Sequence, residues 1–202
     1  MRRRRPGRRM YRRWGKRAFD LAGAALALAL AAPLLALLAL AVLAVLGRPV
    51  LFRQARIGSG GVPFTLLKFR SMVAGPGEDA ARLGRFGRAL RASGLDELPQ
   101  LLNVLRGEMS LVGPRPLPVE YLPRFTPAQA ARHAVRPGLA GLAQAAGRNA
   151  VPWERRLALD AEYARGPSFG GDLALLARSL WLVLRGRGVA APGHATMPRL
   201  GE

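Results

Sequence analysis

From Leu21 to Leu46 the chain reads LAGAALALALAAPLLALLALAVLAVL, 26 residues without a charge. As a helix this stretch is roughly 39 Å long, against a bilayer hydrocarbon core of about 30 Å. After Gly47 the pattern changes period. Two short runs rich in β-formers, PVLFRQARI and VPFTLLKFRSM, flank Gly58-Ser59-Gly60-Gly61 and predict a β-hairpin. Phe64, Leu66, Lys68 and Arg70 share one face of the second strand, which sets Lys68 and Arg70 about 7 Å apart along it. ARLGRFGRALRAS predicts a short basic helix. Leu98, Leu101, Leu102 and Leu105 then follow the i, i+3, i+4, i+7 spacing of a buried helix face, with Gly107 as its stop. Pro99 is tolerated only in the first turn, so Asp96 falls at the N-cap and Glu97 just inside. RPGLAGLAQAAGRN reads as a Gly-rich loop ending at Arg148, and WERRLALDAEYA as a helix carrying Asp160 and Tyr163. DLALLARSLWLVLRGRG predicts an apolar helix of about a dozen residues from Asp172, too short to span a membrane. The last residues, AAPGHATMPRLGE, read as a tail. The expected class is α+β, mostly helical.

Two features complicate a plain membrane span. Pro33 lies at the middle, where it removes a helix hydrogen bond. Both flanks are basic: Arg12, Arg13, Lys16 and Arg17 before, Arg48, Arg53 and Arg56 after. The positive-inside bias places both ends on the cytoplasmic side. A helix that breaks at Pro33 and returns satisfies both facts; a simple span satisfies the length. Asp20, at the mouth of the segment, requires a partner there, and Lys16 and Arg17 are within reach.

Composition narrows the chemistry. The net charge is +20 over 202 residues, almost all of it Arg, and ten basic residues fall within positions 1–17. An acidic partner follows: nucleic acid, a phosphate-bearing substrate or anionic lipid. There is no Cys, which excludes disulfides and Cys-ligated metal, and the two His, His133 and His194, are far apart. No Walker A loop or dinucleotide-binding fingerprint occurs.

Against that background SGLDELPQLLNVLRGEMSLVGPRP stands out. Asp96 and Glu97 are adjacent acids in an acid-poor chain; alone they also suit an ordinary helix start. Pro114 and Pro116 hold Arg115 on a stiff backbone, which suits bidentate phosphate recognition as well as a surface turn. Lys68 and Arg70 fit either a phosphate site or a solvated basic edge.

KRAFD, LFRQARIG, KFRSM, LDELPQLLNVLRGEMSLVGPRP, RPGLAGLAQAAGRN and the Asp172-Leu173 after SFGG occur in this order. Together, from Lys16 to Val189, they resemble the bacterial sugar transferase family, the monotopic phosphoglycosyl transferases. No multi-span region precedes the basic arm in this sequence, a pattern similar to that of the family's small single-domain members.

The resemblance implies transfer of a phosphosugar from a UDP-sugar to undecaprenyl phosphate, with UMP as the other product, as the first membrane step of a surface glycan such as an exopolysaccharide or lipopolysaccharide. It implies Mg²⁺, and Asp96 as a nucleophile forming an aspartyl-phosphosugar with Glu97 holding the metal beside it. Lys68, Arg70, Arg91, Arg115, Arg148 and Asp172 become substrate- or phosphate-binding candidates. It also implies a re-entrant membrane helix that turns at Ala32-Pro33. The organisation is then a basic arm over 1–17, the membrane helix over 18–47, a catalytic domain over 48–189 on the cytoplasmic face of the inner membrane, and a tail over 190–202. Anionic lipid and downstream glycosyltransferases are implied as partners, and nucleic acid is not.

The sequence departs from the family in places. Ala32 replaces a frequent Ser, so the bend is shallower or another group meets the freed carbonyl. Gly94, Ala140, Leu142 and Ala146 replace a usual Ser, Thr, Trp and Asn. Two rivals remain: a membrane-tethered basic binding protein, which leaves the Asp-Glu pair unexplained, and a polyprenyl phosphatase, which releases inorganic phosphate instead of UMP.

Overall fold

The computed structural model describes residues 10–76, 79–147, 150–185 and 200. It is mostly helical, with two small two-stranded sheets. A single π-type turn, Tyr11–Gly15, leads into helix α1, Lys16–Leu46. The backbone stays helical through Pro33, so the expected break is not a break in the helix itself. Proline there removes only the one hydrogen bond to the carbonyl four residues earlier, and the flanking Ala- and Leu-rich turns propagate the helix. The helix is long and apolar enough to cross a membrane, and only 6% of its most apolar window is buried by the rest of the chain.

Both ends of α1 are tied to the same domain. Near the start, buried Asp20 accepts hydrogen bonds from Ser110 Oγ (2.9 Å) and the Leu111 amide (3.0 Å) and pairs with Lys16 (3.2 Å). Arg17 donates to the carbonyls of Val104 and Leu105 at 2.7 and 2.9 Å. A Cβ at Gly23 would lie 2.6 Å from Leu111 Cδ1, so the absence of a side chain lets α1 close on this strand. At the other end the carbonyls of Leu46 and Gly47 accept from the Arg70 guanidinium.

Strands β1, Leu51–Ile57, and β2, Pro63–Phe69, form the expected hairpin, antiparallel with Leu51 opposite Phe69 and Ile57 opposite Pro63. Helix α2, Arg85–Ser93, ends at Gly94 in a left-handed conformation (φ 70°), followed by a 3₁₀ turn, Leu95–Glu97, and helix α3, Gln100–Arg106. Strand β3, Ser110–Val112, pairs in parallel with β4, Gly138–Ala140. The Gly-rich segment expected as a loop is therefore β4 followed by helix α4, Leu142–Gly147. Its glycines serve close backbone approach at this strand pair: a Cβ at Gly138 would sit 2.0 Å from the Gly113 nitrogen. Helix α5 is Trp153–Arg165, and α6 is Phe169–Leu184, starting three residues before Asp172 because Ser168 Oγ accepts from the Gly171 amide.

The core joins these pieces. Ala24 of α1 packs with Leu66, Leu101, Val104, Met109, Leu111, Val112 and Tyr163, and Val42 forms a second cluster with Phe69 and Leu90. Fully buried Asn103 of α3 accepts from the Leu67 amide and donates to the Thr65 carbonyl, taking the place of a strand neighbour along β2. This sets the strand that carries Lys68 against the turn that carries Asp96.

Candidate active site

Asp96 and Glu97 occupy the 3₁₀ turn between Gly94 and α3. Asp96 is not the helix N-cap: Pro99 precedes α3, and no side chain caps it. The left-handed Gly94 redirects the chain a turn earlier than the Pro99 rule suggests. The two neighbouring carboxylates then meet different surroundings. Both Glu97 oxygens receive Arg115, Oε1 from Nη2 at 2.5 Å and Oε2 from Nη1 at 3.3 Å, in a bidentate fork. Asp96 is 5% exposed. Among the described residues its carboxylate has no hydrogen bond and no salt bridge.

Burial, and next the Glu97 charge, push the Asp96 carboxyl up to about 6; Lys68, Arg115 and Arg91 oppose the rise. Desolvation thus outweighs the attraction of the surrounding cations. Asp96 remains mostly ionised at neutral pH, buried, near three cations and otherwise unpartnered. Lys68 is itself depressed by burial and then by Arg91, and its ammonium lies 5.1 Å from the centre of the Phe52 ring. Arg91 donates from Nε to Ser71 Oγ at 2.9 Å.

The structure brings Lys68, Arg91 and Arg115 into the electrostatic field of Asp96 but sends two other candidates elsewhere. Arg70, buried just past the end of β2, satisfies the carbonyls of Leu46 and Gly47 at the end of α1; the strand stops at Phe69, so its alternation does not extend to Arg70. Asp172 is fully buried and accepts from Tyr11 Oη (2.6 Å) and Tyr163 Oη (2.9 Å) while pairing with Lys16 (2.9 Å). It clasps the start of α1 to α6. Arg148 lies outside the described residues.

The loop bearing Arg115 rests on groups to which the sequence analysis gave no role at the site: Arg132, which it did not name, and Asp160 and Arg56, which it named only as a helix residue and a basic flank. Buried Arg132 donates to the Arg115 carbonyl (2.6 Å) and to Asp160 (2.6 Å), and Arg56 donates to the Pro116 carbonyl (3.2 Å). Arg132 and Asp160 are 28 positions apart, a separation with no local signature.

Two adjacent carboxylates among fixed cations, on a domain joined to an exposed apolar helix, define a membrane-associated site for phosphate chemistry. Comparison with known proteins gives the family. The profile of the bacterial sugar transferase family matches residues 11–186. The chain is 44% identical over 190 residues to the uncharacterized sugar transferase EpsL of Bacillus subtilis (strain 168), covering 91% of this chain and 94% of that protein. It is 46% identical over 181 residues to the UDP-glucose:undecaprenyl-phosphate glucose-1-phosphate transferase of Caulobacter vibrioides, covering 82% and 68%. It is 37% identical over 196 residues to the UDP-galactose-lipid carrier transferase of Erwinia amylovora, covering 86% of this chain and 41% of that protein. The chain belongs to the bacterial sugar transferase family and is an enzyme of the phosphoglycosyl transferase class.

Proposed function

We propose that this enzyme moves a phosphosugar from a UDP-sugar to undecaprenyl phosphate through a covalent intermediate on Asp96. The observation that carries the reading is the state of Asp96: a buried carboxylate with lone pairs uncommitted, near Lys68, Arg91 and Arg115. A carboxylate engaged in capping or pairing would be a poor nucleophile; this one is desolvated and held in place.

An Asp96 oxygen attacks the phosphorus that bears the sugar. The bond from that phosphorus to the bridging oxygen breaks, and UMP leaves with the oxygen and the electron pair. No proton is required in this step. An oxygen of undecaprenyl phosphate then attacks the same phosphorus and frees the Asp96 carboxylate. Arg115 and Lys68 balance the charge that grows on the phosphate oxygens. Glu97 keeps the Arg115 fork aimed, and Arg91, braced on Ser71, adds a third cation.

The residues fit Mg²⁺. Among the described residues no group of three or more His, Cys, Asp or Glu forms a cage. Mg²⁺ usually takes one or two carboxylates and completes its shell with phosphate oxygens and water. Asp96 has lone pairs to give, and the Glu97 carboxylate stands beside it in the chain. Bound there, the ion would neutralise the diphosphate and favour its leaving group.

The ties of α1 support a topology. Asp20 and Leu46 are both bonded to one domain, and the helix between them is almost uncovered. One domain cannot stand on both faces of a bilayer. This supports a segment that enters and leaves by one leaflet around Ala32-Pro33, with the catalytic domain on the cytoplasmic face, where the basic flanks meet anionic lipid. The organisation into basic arm, membrane helix, catalytic domain and tail is proposed on the same ground; residues 1–9 and all of the tail except Leu200 lie outside the described residues. The relatives' names span glucose and galactose donors, so the sugar is an open choice among UDP-sugars.

The test is a panel of UDP-sugars with undecaprenyl phosphate and Mg²⁺, scored by UMP. Release with at least one donor, and lipid-diphosphate-sugar as co-product, is expected. No UMP from any donor, with inorganic phosphate released from undecaprenyl diphosphate, would make the protein a phosphatase instead.

A further inference from the structure

Pro114 and Pro116 deprive the loop around Arg115 of two backbone donors, so more of its anchoring falls to its carbonyls. All four from Pro114 to Leu117 are engaged. The Pro114 carbonyl accepts from the Gly138 amide at 2.9 Å and the Leu117 carbonyl from the Ile57 amide at 2.9 Å. The two between them accept from side chains: Arg115 from Arg132 Nη2 and Pro116 from Arg56 Nη1. Arg132 is 2% exposed and is itself held by Asp160, which is fully buried. A buried ion pair is a poor source of stability on its own, and an apolar pair of like volume often serves as well. Its placement against the carbonyl of a site arginine is what an apolar pair could not reproduce.

We infer that Arg132, with Asp160, and Arg56 are positioning residues: they grip the backbone at Arg115 and at the residue after it, and aim the Arg115 guanidinium at Glu97 and the substrate phosphate. This rests on the reading of Arg115 as phosphate-facing. The grip transmits no proton and touches no reacting atom. It fixes where the fork points, and a misplacement of about 1 Å at such a group costs up to about a hundredfold in rate.

The test replaces the pair together, Arg132→Met with Asp160→Leu, which leaves no unpaired buried charge. UMP release is followed in the wild-type and Arg115→Ala backgrounds. In parallel the side-chain nitrogen signals of Arg115, identified by their loss in Arg115→Lys, are recorded by ¹⁵N NMR. Beside intact Arg115 the double substitution should lower kcat by ten- to a hundredfold or so. In Arg115→Ala it should cost less than about twofold, because coupled effects do not add. The Arg115 signals, separate and slow to exchange in the wild type, should merge. Equal losses in both backgrounds, or unchanged Arg115 signals, would overturn the inference. If the double variant does not fold, Arg56→Met loosens the Pro116 side without touching the buried pair, and the same cycle and spectra decide. A wild type that releases no UMP sinks the proposed reaction alone; the NMR comparison still reads the grip.

Discussion

Asp96 and Glu97 are neighbours in the chain, yet Glu97 has both oxygens in the Arg115 fork while Asp96, 5% exposed, accepts no hydrogen bond from any described residue. The division of labour between the two acids follows. One is anchored and anchors in turn; the other, under the proposed reaction, is kept for the substrate.

Keeping Asp96 so costs stability. Its carboxyl rises from 3.8 to about 6 on folding, so the folded state binds the extra proton between those values. Folding is therefore unpenalised at Asp96 below about pH 4, and the penalty grows as pH rises from there through 6 and then levels off, on the order of 3 kcal/mol. Asp96→Asn removes the charge. In chelator, the variant should melt several degrees above the wild type at pH 8 and at nearly the same temperature at pH 4. A difference that does not vary with pH would contradict the assigned burial.

The fork on Glu97 is geometric as well as electrostatic. Arg115→Lys keeps one positive charge but cannot span both oxygens. Its kcat/KM for UDP-sugar should fall by about ten- to a hundredfold, or roughly 1.4 to 2.7 kcal/mol. UMP release at wild-type efficiency would show that only the charge matters.

Asp172 should behave as a clasp. Asp172→Ala removes the acceptor of the Tyr11 hydroxyl and one of two partners each from Lys16, which keeps Asp20, and Tyr163, which keeps the Val112 carbonyl, and breaking a buried charge pair costs on the order of 3 kcal/mol. A markedly lower melting temperature is expected, with near-normal UMP release per folded molecule. Wild-type melting with turnover abolished would place Asp172 in the site instead.

The hairpin was legible because its strands repeat a local period, but the leucine spacing gave the buried face of α3 only in part: Leu101 is buried while Leu102 is exposed, and Gln100, Asn103 and Val104 are the other buried positions of the helix. The Asp96-Glu97 pair drew attention through its rarity and the rigid Pro-Arg-Pro after it, and the structure sets Arg115 of that segment against Glu97. What the sequence did not disclose is long-range. Tyr11 reaches Asp172 across 161 positions, and Asp20 reaches Ser110 across 90. Arg70 looks like any cation on a strand until the last carbonyls of α1 are seen beside it. The early start of α6 was readable: Ser168 is an ordinary N-cap residue three places before the amide it accepts from.

The chain has no cysteine, so topology can be read with single substitutions. Arg12→Cys and Ser59→Cys both place a thiol at an exposed position, one on each side of α1. In intact cells neither should react with an impermeant maleimide, and both should react once the cytoplasm is opened. Labelling of the Arg12 position alone from outside would mean that the helix spans.

The central claim is that Asp96 becomes covalently phosphorylated by the sugar phosphate. Intact-protein mass spectrometry after incubation with UDP-sugar and Mg²⁺, without lipid acceptor, tests it directly. The account predicts a mass increase of one phosphosugar, located on the peptide containing Asp96, lost on adding undecaprenyl phosphate and absent in Asp96→Asn. Full turnover with the lipid acceptor but no adduct in its absence, together with kinetics requiring both substrates bound at once, would contradict it.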